Sequence, residues 1–218
     1  MPASPGHRAP VGVSASVSTA DAAGSPDDPE PAHVPPVPAG TWQVLGEGSV
    51  VGFTARHLLV TLVHGHFADV EGLIVVAPDV TSSSVAAQAL AGSITTGDPV
   101  RDDHLRSHDV LDVATYPVLS LSGNGVTEYA AGRYRTTVSL TIRGITRPVT
   151  FEVGAEPVAR PGDRLGPLRA RFTARATVNR KDFGLRWNPV LEAGGVLVGE
   201  EVTVEVDVLA EHTGPATP

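Results

Sequence analysis

Hydrophobic and polar residues alternate one by one through much of the chain between residues 41 and 209. Val138, Leu140 and Ile142 interleave with Ser139, Thr141 and Arg143, and Val149, Phe151 and Val153 with Thr150 and Glu152. Phe172, Ala174, Ala176 and Val178 interleave with Thr173, Arg175 and Thr177. Val202, Val204, Val206 and Val208 alternate with Thr203, Glu205 and Asp207, and Leu119 and Leu121 with Ser120 and Ser122. Successive side chains of a strand point to opposite faces, so each run predicts a half-buried antiparallel strand with one wet face. Weaker alternation over 50–55, 60–65, 70–77 and 85–94 adds further strands. Gly123-Asn124-Gly125, Arg143-Gly144-Ile145-Thr146 and Pro161-Gly162-Asp163 read as turns between them. The fold class is all-β, with about eight antiparallel strands and one or two short helices. Alternation alone does not choose between a barrel and a sandwich.

The first helix interrupts the period. Asp98 is a good N-cap and Pro99 suits the first helical position, where its missing N–H costs nothing. The spacing predicts a helix over 99–106, and a second helical turn near 55–59. Residues 1–39 are dense in Pro, Ala, Ser, Gly and Asp, too poor in apolar surface to offset ordering entropy, and are expected to be a disordered tail. A short polar tail over 211–218 is expected likewise, leaving 40–210 as the folded domain. The apolar stretch near 11–15 is broken by Gly12 and Ser14, so no secretory signal is recognised. No run approaches the roughly 18–20 apolar residues of a membrane-spanning helix. The expectation is a cytoplasmic protein without a transmembrane segment.

Composition narrows the chemistry. The absence of cysteine excludes disulfides, thiolate metal sites and cysteine nucleophiles. A net charge of -8 argues against nucleic acid as a partner. His64-Gly65-His66 puts two imidazoles on one strand face, but two ligands make an incomplete zinc site and no metal is expected. Gly46-Glu47-Gly48-Ser49-Val50-Val51-Gly52 has the wrong glycine spacing for a dinucleotide loop, and no strand–helix–strand unit follows. No nucleophile elbow, phosphate loop or zinc-protease motif is present. The strings Arg101-Asp102-Asp103-His104-Leu105-Arg106 and Asn179-Arg180-Lys181-Asp182-Phe183-Gly184-Leu185-Arg186-Trp187-Asn188 carry the densest chemistry. The first fits a capped, ion-paired helix better than an acid–base pair. The second fits a strand end and loop closing a barrel mouth.

Those two strings, with Trp42, Val51-Gly52-Phe53-Thr54-Ala55-Arg56-His57-Leu58, Val63-His64-Gly65-His66-Phe67, Gly92-Ser93-Ile94-Thr95-Thr96-Gly97, Leu140-Thr141-Ile142-Arg143-Gly144-Ile145-Thr146-Arg147-Pro148-Val149 and Gly194-Gly195-Val196-Leu197-Val198-Gly199-Glu200, occur in an order that resembles the YceI-like family. The chain departs where His64 and His66 replace the usual cations, and where Val110-Leu111 replaces a frequent aromatic pair. The resemblance implies an extended lipocalin-like barrel whose interior binds an isoprenoid chain, a polyprenyl phosphate or an isoprenoid quinone. It implies a binding protein for storage, sequestration or transport, with no catalytic residues and no cofactor beyond the bound lipid. A homodimer is compatible with it.

The residues suit that role. Inward candidates include the small Ala55, Ala87, Ala89, Val138, Ala174, Ala176 and Val202, and only 5% of the chain is aromatic. A barrel so lined is expected to leave a dry tunnel, the alternative being an interior plugged by loops and the helix. The expected tunnel wall is Phe53, Leu58, Ile74, Leu90, Ile94, Leu105, Leu121, Leu140, Ile142, Phe151, Phe172, Phe183, Leu185 and Trp187. Polar groups expected at its mouth are His57, Arg101, His104, Asn179, Arg180 and Asn188. Two other classes compete: an enzyme acting on an apolar lipid through His57 or His104, and a structural or stress-response interaction barrel.

Overall fold

In the computed structural model, residues 36–57, 61–130, 132–158, 166–187 and 198–215 are described. The alternating runs form eleven strands of one antiparallel sheet. They are β1 (Gly40–His57), β2 (Thr61–Phe67), β3 (Val70–Val76), β4 (Ser84–Leu90), β5 (Ile94–Thr95), β6 (Val118–Asn124), β7 (Thr127–Ala130), β8 (Arg133–Ile142), β9 (Ile145–Pro157), β10 (Arg169–Asn179) and β11 (Val198–Gly214). The last strand pairs with the first along most of its length, from Thr41 opposite Gly214 to His57 opposite Val198, and this closes the sheet into a barrel.

The pairing registers reduce eleven strands to eight staves. β3 pairs with the start of β1 and β2 with its end, so β2 and β3 form one interrupted stave. β4 pairs with β3 and β5 with β2, a second such case. β6 and β7 share β8 as neighbour and form a third. The staves then run up and down in chain order around the ring, as expected for about eight strands.

Local chemistry explains the breaks. In β1 the register slips between Leu45 and Val50, where the Ser49 hydroxyl accepts from the Leu209 N–H at 3.0 Å and donates to the Leu45 carbonyl. This bulge moves the inward positions from Trp42 and Val44 to Val51, Phe53 and Ala55. The β8–β9 hairpin turns on Arg143 and Gly144 alone, with φ of 50° and 71°, the geometry of a two-residue turn. Gly123-Asn124-Gly125 bends a stave instead of reversing it, because β7 continues along β8. Pro161-Gly162-Asp163 lies outside the described residues.

The helix α1 (Pro99–Arg106) begins where predicted, with the Asp98 carboxylate accepting from the N–H groups of Val100 and Arg101. The expected helical turn near 55–59 is corrected: β1 runs on as strand to His57, because Arg56 and His57 pair with Leu62 and Thr61. The domain edges also move. Val37 is buried at 3% exposure beside Trp42, and β11 continues through Glu211 to Gly214, so the fold includes residues assigned to both tails. No helix among the described residues is long and apolar enough to cross a membrane.

Candidate functional site

The inward rows of the staves do not meet. Between them lie two cavities of about 180 and 240 Å³. Val51, Val70, Ala87, Leu121, Phe151 and Val206 border both, so the cavities abut end to end at a waist ringed by these six side chains. The lower cavity sits at the end where β1 starts, between Val44, Ile74, Val76, Tyr134, Val153, Phe172 and Val208. The upper one reaches the end covered by α1, between Phe53, Phe67, Ile94, Leu140, Ile142, Phe183 and Trp187. The side chains are mostly Val, Leu, Ile, Ala and Phe, so water inside would find few partners. Each cavity exceeds the roughly 150 Å³ that accommodates a benzene ring in an engineered apolar core.

Twelve of the fourteen residues expected on the wall border a cavity. Phe53, Ile94, Leu105, Leu121, Leu140, Ile142, Phe151, Phe183, Leu185 and Trp187 border the upper cavity, and Ile74 and Phe172 the lower. Leu90 is a correction. It is 48% exposed and faces out, because its neighbour Ala89 takes the inward position of β4. Leu58 and Asn188 lie outside the described residues. Sequence reasoning missed Phe67, Val110, Leu111, Leu119 and most of the valine row of β11 as wall residues. The β11 alternation carried that signal.

The expected polar mouth is largely engaged elsewhere. Arg101 donates through Nε to the Thr96 hydroxyl at 2.7 Å and through Nη2 to the Thr96 carbonyl at 3.2 Å. Its neighbour Asp102 is buried and accepts from the Thr95 hydroxyl at 2.9 Å and from the Thr96 N–H at 2.8 Å, with the Thr96 hydroxyl as a further donor. Arg106 donates to the carbonyls of Gly92 at 2.9 Å and Ile94 at 2.6 Å. Three consecutive-face side chains thus stitch α1 onto the segment around β5, while Leu105 faces the cavity. Burial raises the Asp102 carboxyl, but the hydrogen bonds from Thr96 and Thr95 outweigh it and hold the group below its ordinary range.

Arg180 borders the upper cavity, yet its guanidinium is turned onto backbone. It donates to the carbonyls of Gly199 at 2.8 Å, Trp187 at 3.0 Å and Val198 at 3.1 Å, and also to that of Leu185. Burial lowers its affinity for a proton, and the negative charge of Glu200 works the other way. Asn179 accepts from the Lys181 N–H at 2.9 Å and caps the 3-10 turn Arg180–Phe183. His57 closes the end of β1 opposite Thr61 and is not on the cavity wall. His104 packs its ring 4.3 Å from that of Trp187, and its Nε2 is buried without a hydrogen-bond partner among the described residues. His64 bonds Thr54 at 3.0 Å through Nδ1, and no group of three metal-ligating side chains occurs among the described residues.

Comparison with known proteins agrees with this geometry. The model of the YceI-like domain matches residues 42–210. A UPF0312 protein of Staphylococcus aureus (strain N315) is 32% identical over 165 residues, which span 73% of this chain and 91% of the relative. Among solved structures, BcnA of Burkholderia cenocepacia superimposes with a TM-score of 0.64 at 20% identity, covering 76% of this chain and 98% of that one. A polyisoprenoid binding domain from Saccharophagus degradans, implicated in plant cell wall breakdown, does so with a TM-score of 0.56 at 17% identity, covering 81% and 100%. A closed eight-stave barrel, an apolar interior in two abutting halves and a family match across nearly all of the described strands place this chain in the YceI-like family.

Proposed function

We propose that the barrel holds a long apolar chain, a polyisoprenoid or the tail of an isoprenoid quinone, for storage, sequestration or transport. The observation that carries this reading is the continuous apolar wall shared by the two cavities. Their combined size corresponds to about three benzene-sized volumes, or roughly fifteen to twenty carbons. Each methylene transferred from water into such a wall contributes about 0.8 kcal/mol, so a buried run of isoprene units supplies a large gross driving force. Much of it is offset by lost rotamer freedom, and a membrane competes for the same lipid. The polyisoprenoid binding domain of Saccharophagus degradans shares the fold, which supports the ligand class.

A carrier reading fits the polar groups better than a catalytic one. Neither His57 nor His104, the two expected acid–base groups, borders either of these two cavities. Purification from the native host, organic extraction and mass spectrometry test the proposal. An isoprenoid recovered in near-stoichiometric amount is the expected result. Repeated recovery of folded, ligand-free protein, or of a bound lipid chemically altered on incubation, would refute it.

A further inference from the structure

Two of the residues that border the lower cavity precede the family match. Pro36 and Val37 border it, whereas the match begins at residue 42. Val37 is 3% exposed and packs with Trp42, Val76, Ala170 and Ala210, with Ile74 and Phe172 against the same cluster. The backbone that follows it is pinned twice. The Trp42 indole N–H donates to the Pro38 carbonyl at 3.2 Å, and the His212 ring meets the Ala39 carbonyl at 3.3 Å through Nε2. At Gly40 the chain is pressed against the end of β11, where an added Cβ would lie 2.1 Å from His212 Nε2 and 2.5 Å from the Gly214 carbonyl oxygen. A free tail would show neither this burial nor these bonds.

We infer that Val37 is the floor of the tunnel and sets the longest apolar chain the barrel accepts. The inference rests on the lipid-binding reading above and adds a specificity-determining residue to it. Apolar affinity grows with each buried methylene and stops growing when the next carbon meets a wall. The wall met at this end is the Val37 side chain, held over the lower cavity by Trp42 and His212. Chain-length selection is then a property of this segment, separate from the strands that form the rest of the wall.

The test is a series of linear prenyl alcohols, each one isoprene unit longer than the last, titrated into the full-length protein and into the Val37→Ala and Val37→Leu variants. Affinity of the wild type is expected to rise with length and then level off. Val37→Ala should move the levelling point to a longer alcohol and Val37→Leu to a shorter one. The opposite directions keep the test valid if one variant folds poorly. A levelling point unchanged in both folded variants would overturn the floor and leave the carrier reading standing. A wild-type protein that binds none of the alcohols would overturn both.

Discussion

Arg180 shows how one side chain holds a site without touching a ligand. Its four carbonyl partners come from Leu185 and Trp187 after the 3-10 turn and from Val198 and Gly199 at the start of β11. Removing it takes a donor from four carbonyls, at about 1–3 kcal/mol for each one that neither another donor nor water can reach. Arg180→Ala should destabilise the fold by about 3–5 kcal/mol, read as a lower midpoint in guanidinium unfolding. Arg180→Lys keeps the charge but not the planar fork, and should recover less than half of the loss. Gly65 acts by absence. It lies opposite Phe53, and a Cβ there would fall 2.3 Å from the phenyl ring. Gly65→Ala therefore pushes Phe53 off the upper wall, with an expected cost of about 1–3 kcal/mol in thermal or denaturant unfolding.

At the scale of elements, α1 is docked by polar contacts more than by apolar ones, so its attachment depends on charge. Folding holds the Asp102 carboxyl below its ordinary value near 3.8, so the unfolded chain binds a proton more readily than the folded one. The contribution is complete above that ordinary value and is lost as the pH falls from there through the lower folded value. Asp102→Asn should weaken the docking by about 1–2 kcal/mol at neutral pH, since an amide offers one acceptor oxygen to donors that bind two. The variant should also flatten the acid limb of a stability-against-pH curve, and an unchanged acid limb would show that Asp102 does not hold the helix. This helix was legible in the chain because Asp98 and Pro99 are short-range signals. The strands of β6 and β8 to β11 were legible because alternation is local. The bulge that switches the phase of β1 before Val51 was not, since Ser49 bonds the distant Leu209. Nor was the role of Arg180, because bonds to carbonyls leave no mark in a residue pattern. Val37 escaped notice in a stretch of prolines, and only its contact with Trp42 reveals it.

For the whole molecule the central question is how a hollow barrel is held together, and the waist provides the measurement. Phe151 is 3% exposed, borders both cavities and packs with Val138 and Ala176. In a filled core its truncation to alanine costs about 3–5 kcal/mol, part of which is the cavity left behind. Here the space beyond the ring is already open, so the truncation merges with existing cavities and the ligand-free protein loses close to that full amount. A bound chain passing the waist would take up part of the vacated volume and restore contacts that the surrounding walls cannot close over. Phe151→Ala should therefore gain more thermal stability from a saturating prenyl alcohol than the wild type does, although it starts lower. An equal or smaller gain in the variant would mean that the bound chain does not pass Phe151. Placing a carboxylate there with Phe151→Asp should abolish binding or folding outright, because a lone charge at the waist has neither water nor a partner.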